Sequence, residues 1–328
     1  MINAPKTCTC YNGCVGGPSR PAGHPRRRTD KPRWRWTFDS GRRTPSVRIR
    51  QLVRGTVPWE SLEAVARELG ARYDQDTVRV VFLDADNWLS TPCVVNDRWF
   101  VKVISEQNAL VHAVFTGARN LGMFSSGTEG FFERFDGPVA MAEHERDATR
   151  DLRALGVNAP RPIEAFEVDG FGVLVLDYLP AFTPLDEVPA ADVAAHAPAV
   201  FEALSTMHAN GVAHGDLRAE NVLVSDGDLY FIDATNVDTD AIADARAYDL
   251  ACALAALEPL IDAQTVVRIA RESYTVDEAA ADVSTTMDAL LRAQDFLGFV
   301  QLRPDHDFDT AALTGHIGMA ATNAQRGL

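Results

Sequence analysis

The sequence predicts an α+β fold in which a β-rich N-terminal half is followed by an α-helical C-terminal half, with the junction near residue 179. Between residues 77 and 178, short apolar runs with two-residue alternation are separated by turn signals. After Pro180, apolar residues recur at helical spacing. The chain has 328 residues, of which 46% are hydrophobic, and this composition is enough for a sizeable core.

Composition divides the chain into three regions. Residues 1–46 hold too little apolar surface to offset the entropy of ordering, and they are expected to form a disordered basic tail. Residues 47–178 are expected to form an N-lobe with an insert at 105–137, and residues 179–328 a C-lobe. The tail is interpreted either as the product of a misplaced translation start or as a basic segment for an acidic partner.

Charge is distributed unevenly along the chain. The first 50 residues carry a net charge of +10, whereas the remaining 278 carry −25 and contain one lysine, Lys102, against 18 arginines. Such a surface resembles that of halophilic proteins from a high-salt cytoplasm, where screening weakens the repulsion between like charges. The acidic body is therefore not expected to bind nucleic acid directly.

The sequence also predicts where in the cell the protein is located. It has no run of 18 uncharged apolar residues and no signal-peptide pattern, so a cytoplasmic protein without a membrane partner is expected. Five cysteines are too few for a disulfide framework in a chain of this length. The group Cys8, Cys10, Cys14 and His24 has two interpretations, a zinc site or reduced thiols in an unstructured tail.

Local patterns predict the elements of the N-lobe. The stretch "PWESLEAVARELG" predicts a helix that opens at Pro58 and ends at Gly70. The stretch "TPCVVNDRWFVKVIS" predicts a hairpin that turns at Asn96 and Asp97. The stretch "PVAMAEHERDATRDLRALG" predicts a helix, and "VNAPRPIEAFEVDGFGVLVLDYLP" predicts two further strands.

The C-lobe is predicted to be mainly helical, with helices near 190–210, 240–258, 262–273 and 282–300.

The insert is harder to interpret. "NALVHAVFTGARNLG" predicts a helix, and "MFSSGTEGFFERFDG" predicts a mobile segment rich in glycine and phenylalanine. That segment is interpreted either as a structural cap on the N-lobe or as a flap that becomes phosphorylated on Ser125, Ser126 or Thr128.

The stretch "HGDLRAENVLVSDGDLYFIDAT" carries the strongest functional signal. Asp216 and Asn221 lie five residues apart just after His-Gly, and Asp233 ends a predicted strand twelve residues later. Phosphoryl transfer needs a carboxylate near the transferring group and oxygen ligands for Mg2+, which an amide can also supply. A plain hairpin explains the two strands but not these polar residues at their ends, so the pattern predicts phosphoryl transfer.

Lys102 in "FVKVI" is the predicted cation for nucleotide phosphates. Strand alternation places it on one face with Phe100 and Ile104, where a lysine is unfavourable unless it is paired. The alternative is an edge-strand lysine that points to solvent. Its partner is expected on the helix after the insert, where Glu145 borders the buried stripe and Glu143 is the second candidate.

These motifs resemble those of the protein-kinase-like superfamily. "HGDLRAEN" is similar to its catalytic loop, "IDA" stands in the place of its metal-binding Asp-Phe-Gly, and "VLVLDYL" is similar to its adenine-binding hinge strand. The "HGDL" loop, the step from Ile232 to Asn236 and the long insert most resemble the atypical RIO-type kinases, in particular RIO-like and lipopolysaccharide-kinase-like proteins of haloarchaea. The resemblance covers about residues 75–260 and implies a two-lobed protein-kinase-like fold.

The resemblance implies roles for the matched residues. Asp216 would be the catalytic or phosphate-accepting carboxylate, and Lys102 with Glu145 would form the ion pair of the nucleotide site. Asn221 and Asp233 would hold magnesium.

The same resemblance implies ATP and Mg2+ as cofactors, with adenine received by the backbone of Asp177 and Leu179. No GxGxxG motif precedes the lysine, and Ser90 stands where a phosphate loop would be. Arg218 either holds the γ-phosphate or pairs only with Glu220.

His214 and Asp249 resemble residues that support the catalytic loop. The leading hypothesis is a Mg-ATP-dependent, RIO-like serine/threonine protein kinase or ATPase whose acceptor is an unknown protein or small molecule. A small-molecule kinase of the aminoglycoside or lipopolysaccharide type shares the motifs, and a nucleotide-binding pseudokinase scaffold is an alternative from another class. The resemblance alone implies a ribosome-related partner.

Overall fold

The computed structural model describes residues 6–9, 57–83, 90–109, 136–235, 242–275, 283–302 and 307–326. Within these residues, the N-terminal part is a six-stranded sheet with two long α-helices and a helical turn at residues 106–109, and the C-terminal part holds five α-helices and a small three-stranded sheet. The predicted α+β division into a sheet region and a helical region is confirmed.

The strands of the large sheet are β1 Lys6–Thr9, β2 Arg79–Phe82, β3 Thr91–Val95, β4 Trp99–Ile104, β5 Pro162–Val168 and β6 Phe171–Asp177. They are ordered β1-β2-β3-β4-β6-β5, and every neighbouring pair is antiparallel. On one face Val101 and Val103 pack with helix α1, Trp59–Arg72, and on the other Ile104 packs with helix α2, Pro138–Ala154. Strand alternation therefore turns Lys102 toward α2.

The β3–β4 hairpin fixes the register of Lys102. Asn96 and Asp97 have φ angles of 53° and 52°, as a two-residue type I′ turn requires. The backbone N–H of Arg79 donates to Asn96 Oδ1 at 2.7 Å, which ties the turn to β2. The predicted hairpin is confirmed, and it places Lys102 directly opposite Pro92 and Leu174 on the neighbouring strands.

The helices of the C-terminal part are α3 Ala190–Ala209, α4 Ile242–Ile261, α5 Ala263–Ser273, α6 Val283–Val300 and α7 Thr310–Gln325. The small sheet holds β7 Thr183–Pro184, β8 Val222–Ser225 and β9 Asp228–Phe231. Helix α4 lies at the centre, because every residue from 247 to 255 is buried. One core cluster joins all five helices to β8 and β9.

One helix ends at a different residue than expected, and one helix was not predicted. Gly70 does not end α1, which continues to Arg72. A Cβ at Gly70 would lie 3.2 Å from the Gln75 carbonyl oxygen and from Val78, so close packing explains the glycine.

Helix α7 was not predicted, because its glycines, threonines and alanines weaken the apolar periodicity. Asp309 caps the start of this helix by accepting the Ala312 N–H at 2.9 Å.

The expectation that residues 1–46 form a disordered tail is wrong for residues 6–9. Residues 6–9 pair with β2 as an edge strand, with Lys6 opposite Phe82 and Thr9 opposite Arg79. The exposed edge of β2 supplies the backbone partners that composition alone does not reveal. The rest of the tail, the cysteine–histidine group and the proposed flap lie outside the described residues.

In the described part of the chain, every helix is too short or too polar to cross a membrane.

Candidate active site

Lys102 lies at the centre of a three-residue ion cluster. Its Nζ donates to Glu145 Oε1 at 2.5 Å and to Asp233 Oδ1 at still closer range. The three residues come from β4, from α2 and from the segment after β9, and 131 positions separate Lys102 from Asp233. The side chain of Lys102 is only 5% exposed, so the structure excludes the solvent-facing alternative.

Electrostatics hold this cluster together. Burial acts to lower the pKa of Lys102, but the negative charges of Asp233 and Glu145 outweigh it and the pKa is raised. Burial raises the pKa of Glu145, and the nearby Asp233 adds to that effect while Lys102 opposes it. Lys102 therefore keeps its proton, and two carboxylates share one ammonium group.

Glu145, the first candidate partner, is the one that meets Lys102. Glu143 is exposed on the same helix. Asp147 accepts instead from Arg146 and Arg150.

The loop between α3 and β8 carries Asp216 in a half-buried position. Arg218 Nη2 lies 3.4 Å from Asp216 Oδ2, while Nη1 pairs closely with Glu220. Arg218 thus sits between two carboxylates, one of which is the predicted catalytic group. The pairing with Glu220 is present, and contact with a γ-phosphate remains a prediction.

Asn221 and Asp233 lie on adjoining backbone segments. Asn221 Nδ2 donates to the Asp216 carbonyl at 2.8 Å, and the Asn221 carbonyl accepts from the Ile232 N–H at 3.0 Å. Asp233 has a φ of 61°, a left-handed conformation that Asp tolerates better than most residues. The backbone therefore brings both predicted magnesium ligands to the loop that carries Asp216.

The donor set fits Mg2+. The Asn221 amide uses its nitrogen on the loop, which leaves its oxygen as a ligand, and Lys102 occupies only Oδ1 of Asp233. No group of three or more His, Cys, Asp or Glu residues in the described ranges is placed to hold a metal. Nucleotide-bound Mg2+ needs only one or two protein oxygens, because phosphate and water supply the remaining ligands.

Asp249 on α4 supports the loop from behind. It is fully buried, and its carboxylate accepts the backbone N–H groups of His214 and of Gly215, the latter at 2.8 Å. His214 is also fully buried, and burial lowers its pKa even though three carboxylates oppose the shift. Both residues therefore contact the loop in the way expected of a scaffold.

Gly215 is a position where glycine is required. Its φ is +79°, and a Cβ would lie 2.2 Å from Thr235 Oγ1. The Thr235 N–H donates to the His214 carbonyl at 2.8 Å, so the segment after Asp233 packs directly on the loop. This contact with Thr235 was not predicted from the sequence.

The backbone N–H groups of the predicted hinge differ in whether they already form a hydrogen bond. The N–H groups of Asp177 and Tyr178 donate to the carbonyls of Arg161 and Arg98 at 2.8 and 2.9 Å. The Arg161 guanidinium also holds the Asp177 carboxylate through bonds of 2.6 and 3.0 Å. In the described part of the chain, the Leu179 N–H forms no hydrogen bond, so it is the donor left for a base.

Ser90 lies at the start of β3 and is buried. Its hydroxyl has no hydrogen-bond partner among the described residues. Its predicted contact with phosphate stays a prediction.

No curated protein matches the chain. Three solved structures that match are the PknI kinase domain from Mycobacterium tuberculosis, a putative fructosamine-3-kinase from Haemophilus somnus and the PAN3 pseudokinase of Drosophila melanogaster. Their sequence identities are 17%, 11% and 13%, and their TM-scores are 0.37, 0.42 and 0.35. The matches cover 66%, 79% and 76% of this chain and 95%, 97% and 62% of those chains.

A family match covers the region that contains most of the site. Residues 137–245 match the RIO domain. This stretch contains Glu145, Asp216, Asn221 and Asp233, while Lys102 lies before it. This match supports an atypical RIO-type, protein-kinase-like protein, and it covers about a third of the chain.

Proposed function

We propose that the protein is a Mg-ATP-dependent phosphotransferase that moves the γ-phosphoryl group of ATP to a serine or threonine hydroxyl. One observation carries the proposal. A buried lysine from β4 meets Glu145 and Asp233, and Asp233 adjoins the loop that holds Asp216 and Asn221. Phosphoryl transfer relies on positioning and charge stabilisation, and these residues supply a cation, two metal ligands and a base.

Lys102 binds the α- and β-phosphate oxygens in this proposal. Glu145 keeps the ammonium group oriented, because the 2.5 Å contact anchors it from the α2 side. The bound nucleotide would compete with Asp233 for Lys102, which releases Asp233 for the metal. Asn221 and Asp233 would hold Mg2+, which would neutralise phosphate charge when bound.

Asp216 accepts the proton of the attacking hydroxyl. The acceptor oxygen forms the new bond to the γ-phosphorus, and the bond to the β–γ bridging oxygen breaks with ADP as the leaving group. Arg218 lies beside Asp216 and is placed to contact the transferring group. Its pairing with Glu220 limits how far it can move.

The nucleotide base would bind at the hinge. The free Leu179 N–H and the carbonyl groups near Asp177 present a backbone edge for adenine. Ser90, whose buried hydroxyl lacks a described partner, supports the proposed phosphate contact near the start of β3.

The competing hypotheses differ in the molecule that accepts the phosphoryl group. Water as acceptor makes the protein an ATPase, and a small hydroxylated molecule makes it a small-molecule kinase. The full chain would be purified in molar KCl and incubated with γ-labelled ATP and Mg2+. Phosphoprotein, free phosphate and small phosphorylated products are then separated.

Asp216→Asn is the decisive variant, because it keeps the shape of the side chain and removes the base. We expect it to lower turnover about 100-fold or more. Asp226→Asn in the exposed β8–β9 turn is the matched control and should retain wild-type turnover, since Asn tolerates its φ of 51°. Equal turnover by wild type and Asp216→Asn, or none by wild type, would contradict the proposal.

A further inference from the structure

A buried polar chain runs from the catalytic loop into the C-terminal helices. Asp249 accepts from the loop at His214 and Gly215, and its Oδ2 also lies 3.3 Å from His208 Nε2 at the end of α3. The other ring nitrogen, His208 Nδ1, lies 2.7 Å from the hydroxyl of Tyr274. His208 and Asp249 are fully buried and Tyr274 is 3% exposed.

The chemistry of these groups fixes the direction of the hydrogen bonds. A carboxylate only accepts, so His208 Nε2 must carry a hydrogen to bond with Asp249. In the neutral ring Nδ1 is then an acceptor, and the Tyr274 hydroxyl is its donor. Burial raises the pKa of Tyr274, with Asp249 adding to the shift, so the hydroxyl keeps the proton that it donates.

Tyr274 is itself held firmly in place. It follows α5, its N–H donates to the Ala270 carbonyl at 2.9 Å, and its carbonyl accepts from Thr286 Oγ1 on α6 at 3.0 Å. The next N–H, that of Thr275, donates to Ser205 Oγ on α3 at 2.9 Å. Its ring meets the ring of His208 edge-on, with centroids 5.6 Å apart. The Tyr274 hydroxyl is therefore directed at His208 Nδ1.

We propose that Tyr274 is a positioning residue for phosphoryl transfer, because its hydroxyl locks His208 in the Nε2–H form and His208 in turn orients the carboxylate that holds the His214–Asp216 loop. Tyr274 lies beyond the RIO domain match, which ends at residue 245. Without the hydroxyl, His208 can take the other neutral form, and its bare Nε2 would then face Asp249. The catalytic consequence rests on the proposed function, whereas the ordering of the loop does not.

Tyr274→Phe tests the proposal, because it removes one oxygen and keeps the ring. We expect kcat to fall about tenfold with KM for ATP unchanged, and the exchange of the His214 and Gly215 amides to rise by a similar factor. Tyr73→Phe is the matched control. It removes a tyrosine hydroxyl that donates to Glu164 at 2.6 Å in the N-terminal part of the fold, and it should change neither kcat nor the exchange of those two amides.

Nitrogen NMR of His208 gives a readout that needs no variant. The wild type should show the Nε2–H form, and a wild-type ring protonated at Nδ1 alone would overturn the proposal. Wild-type kcat and amide exchange in Tyr274→Phe, or equal losses in Tyr73→Phe, would overturn it as well. A wild type that shows the expected ring form and amide protection but transfers no phosphoryl group would overturn the proposed function and support the positioning of the loop.

Discussion

Lys102 shows what a single residue reveals before and after folding. Composition marks it as the only lysine after residue 50, and strand alternation predicts its face. The pairing with Glu145 follows from helix periodicity on α2. The contact with Asp233 could not be predicted from local patterns, because it joins residues that are 131 positions apart and depends on how the sheet docks on the loop.

Replacing Lys102 with Arg should lower turnover at least tenfold while the protein stays folded. The planar guanidinium retains the charge, but it does not match the compact ammonium in a site where the side chain is 5% exposed. Turnover and the melting temperature should be measured on the same preparation. Arg150→Lys, a swap at a side chain that is 57% exposed, should leave both unchanged. Wild-type turnover of the Lys102 variant would place the nucleotide cation elsewhere.

At the scale of elements, the sequence pattern was sufficient to predict the helices and strands whose apolar periodicity is strong. The hairpin, α2 and the β5–β6 pair follow the sequence closely. Helix α7 was missed because small residues conceal its buried face, where Leu313 and Ile317 pack into the core. The edge pairing of β1 was missed because it depends on a distant strand rather than on its own four residues.

Asp262 separates α4 from α5 and caps the start of α5. Its carboxylate accepts the Thr265 N–H at 2.9 Å and the Thr265 hydroxyl at 2.9 Å, and its φ is 68°. Asp262→Ala should lower the free energy of unfolding by about 1 kcal/mol, because the cap is lost and alanine is strained at that φ. Asp262→Gly should cost less, because glycine adopts this φ freely. Urea titration of both variants checks the order, and a larger loss in the glycine variant would contradict it.

This cap should also depend on pH. The hydrogen bond from the Thr265 N–H is the main reason that the pKa of Asp262 is lowered. A carboxylate whose pKa falls on folding stabilises the native state above its unfolded pKa of about 3.9, and it loses that contribution as the pH drops through the folded value. The stability difference between wild type and Asp262→Ala should therefore shrink below about pH 4.

At the scale of the whole molecule, the net charge of the chain and the arrangement of its sheet and helical regions follow from different features of the sequence. The sequence predicted the division into a sheet region and a helical region, while the domain bounds and the roles of the site residues stay predictions. The resemblance implied His214 and Asp249 as support for the loop, but the sequence did not predict that His208 contacts Asp249 or that Tyr274 contacts His208, since those contacts join three helical regions far apart in sequence. The net charge of −25 after residue 50 concerns solubility and screening rather than the fold.

The acidic surface predicts a strong dependence of stability on salt. Raising KCl from about 0.1 M to 1 M shortens the Debye length from about 10 Å to about 3 Å, so the repulsion between carboxylates weakens. The melting temperature should rise across this range by several degrees. A neutral osmolyte at matched osmolality serves as the control and should have a smaller effect. A flat or falling melting temperature with KCl would argue against a halophilic surface.

The central claim is that residues from both lobes form one Mg-nucleotide site, and the melting temperature with ligand tests it most directly. ATP with Mg2+ should raise the melting temperature of wild type more than ATP or Mg2+ alone, because a ligand that binds only the native state stabilises it. Asp233→Asn, which keeps the φ of 61° accessible, should lose the Mg-dependent rise, and Asp226→Asn should keep it. An equal Mg-dependent rise in Asp233→Asn, or no rise in wild type, would contradict the account.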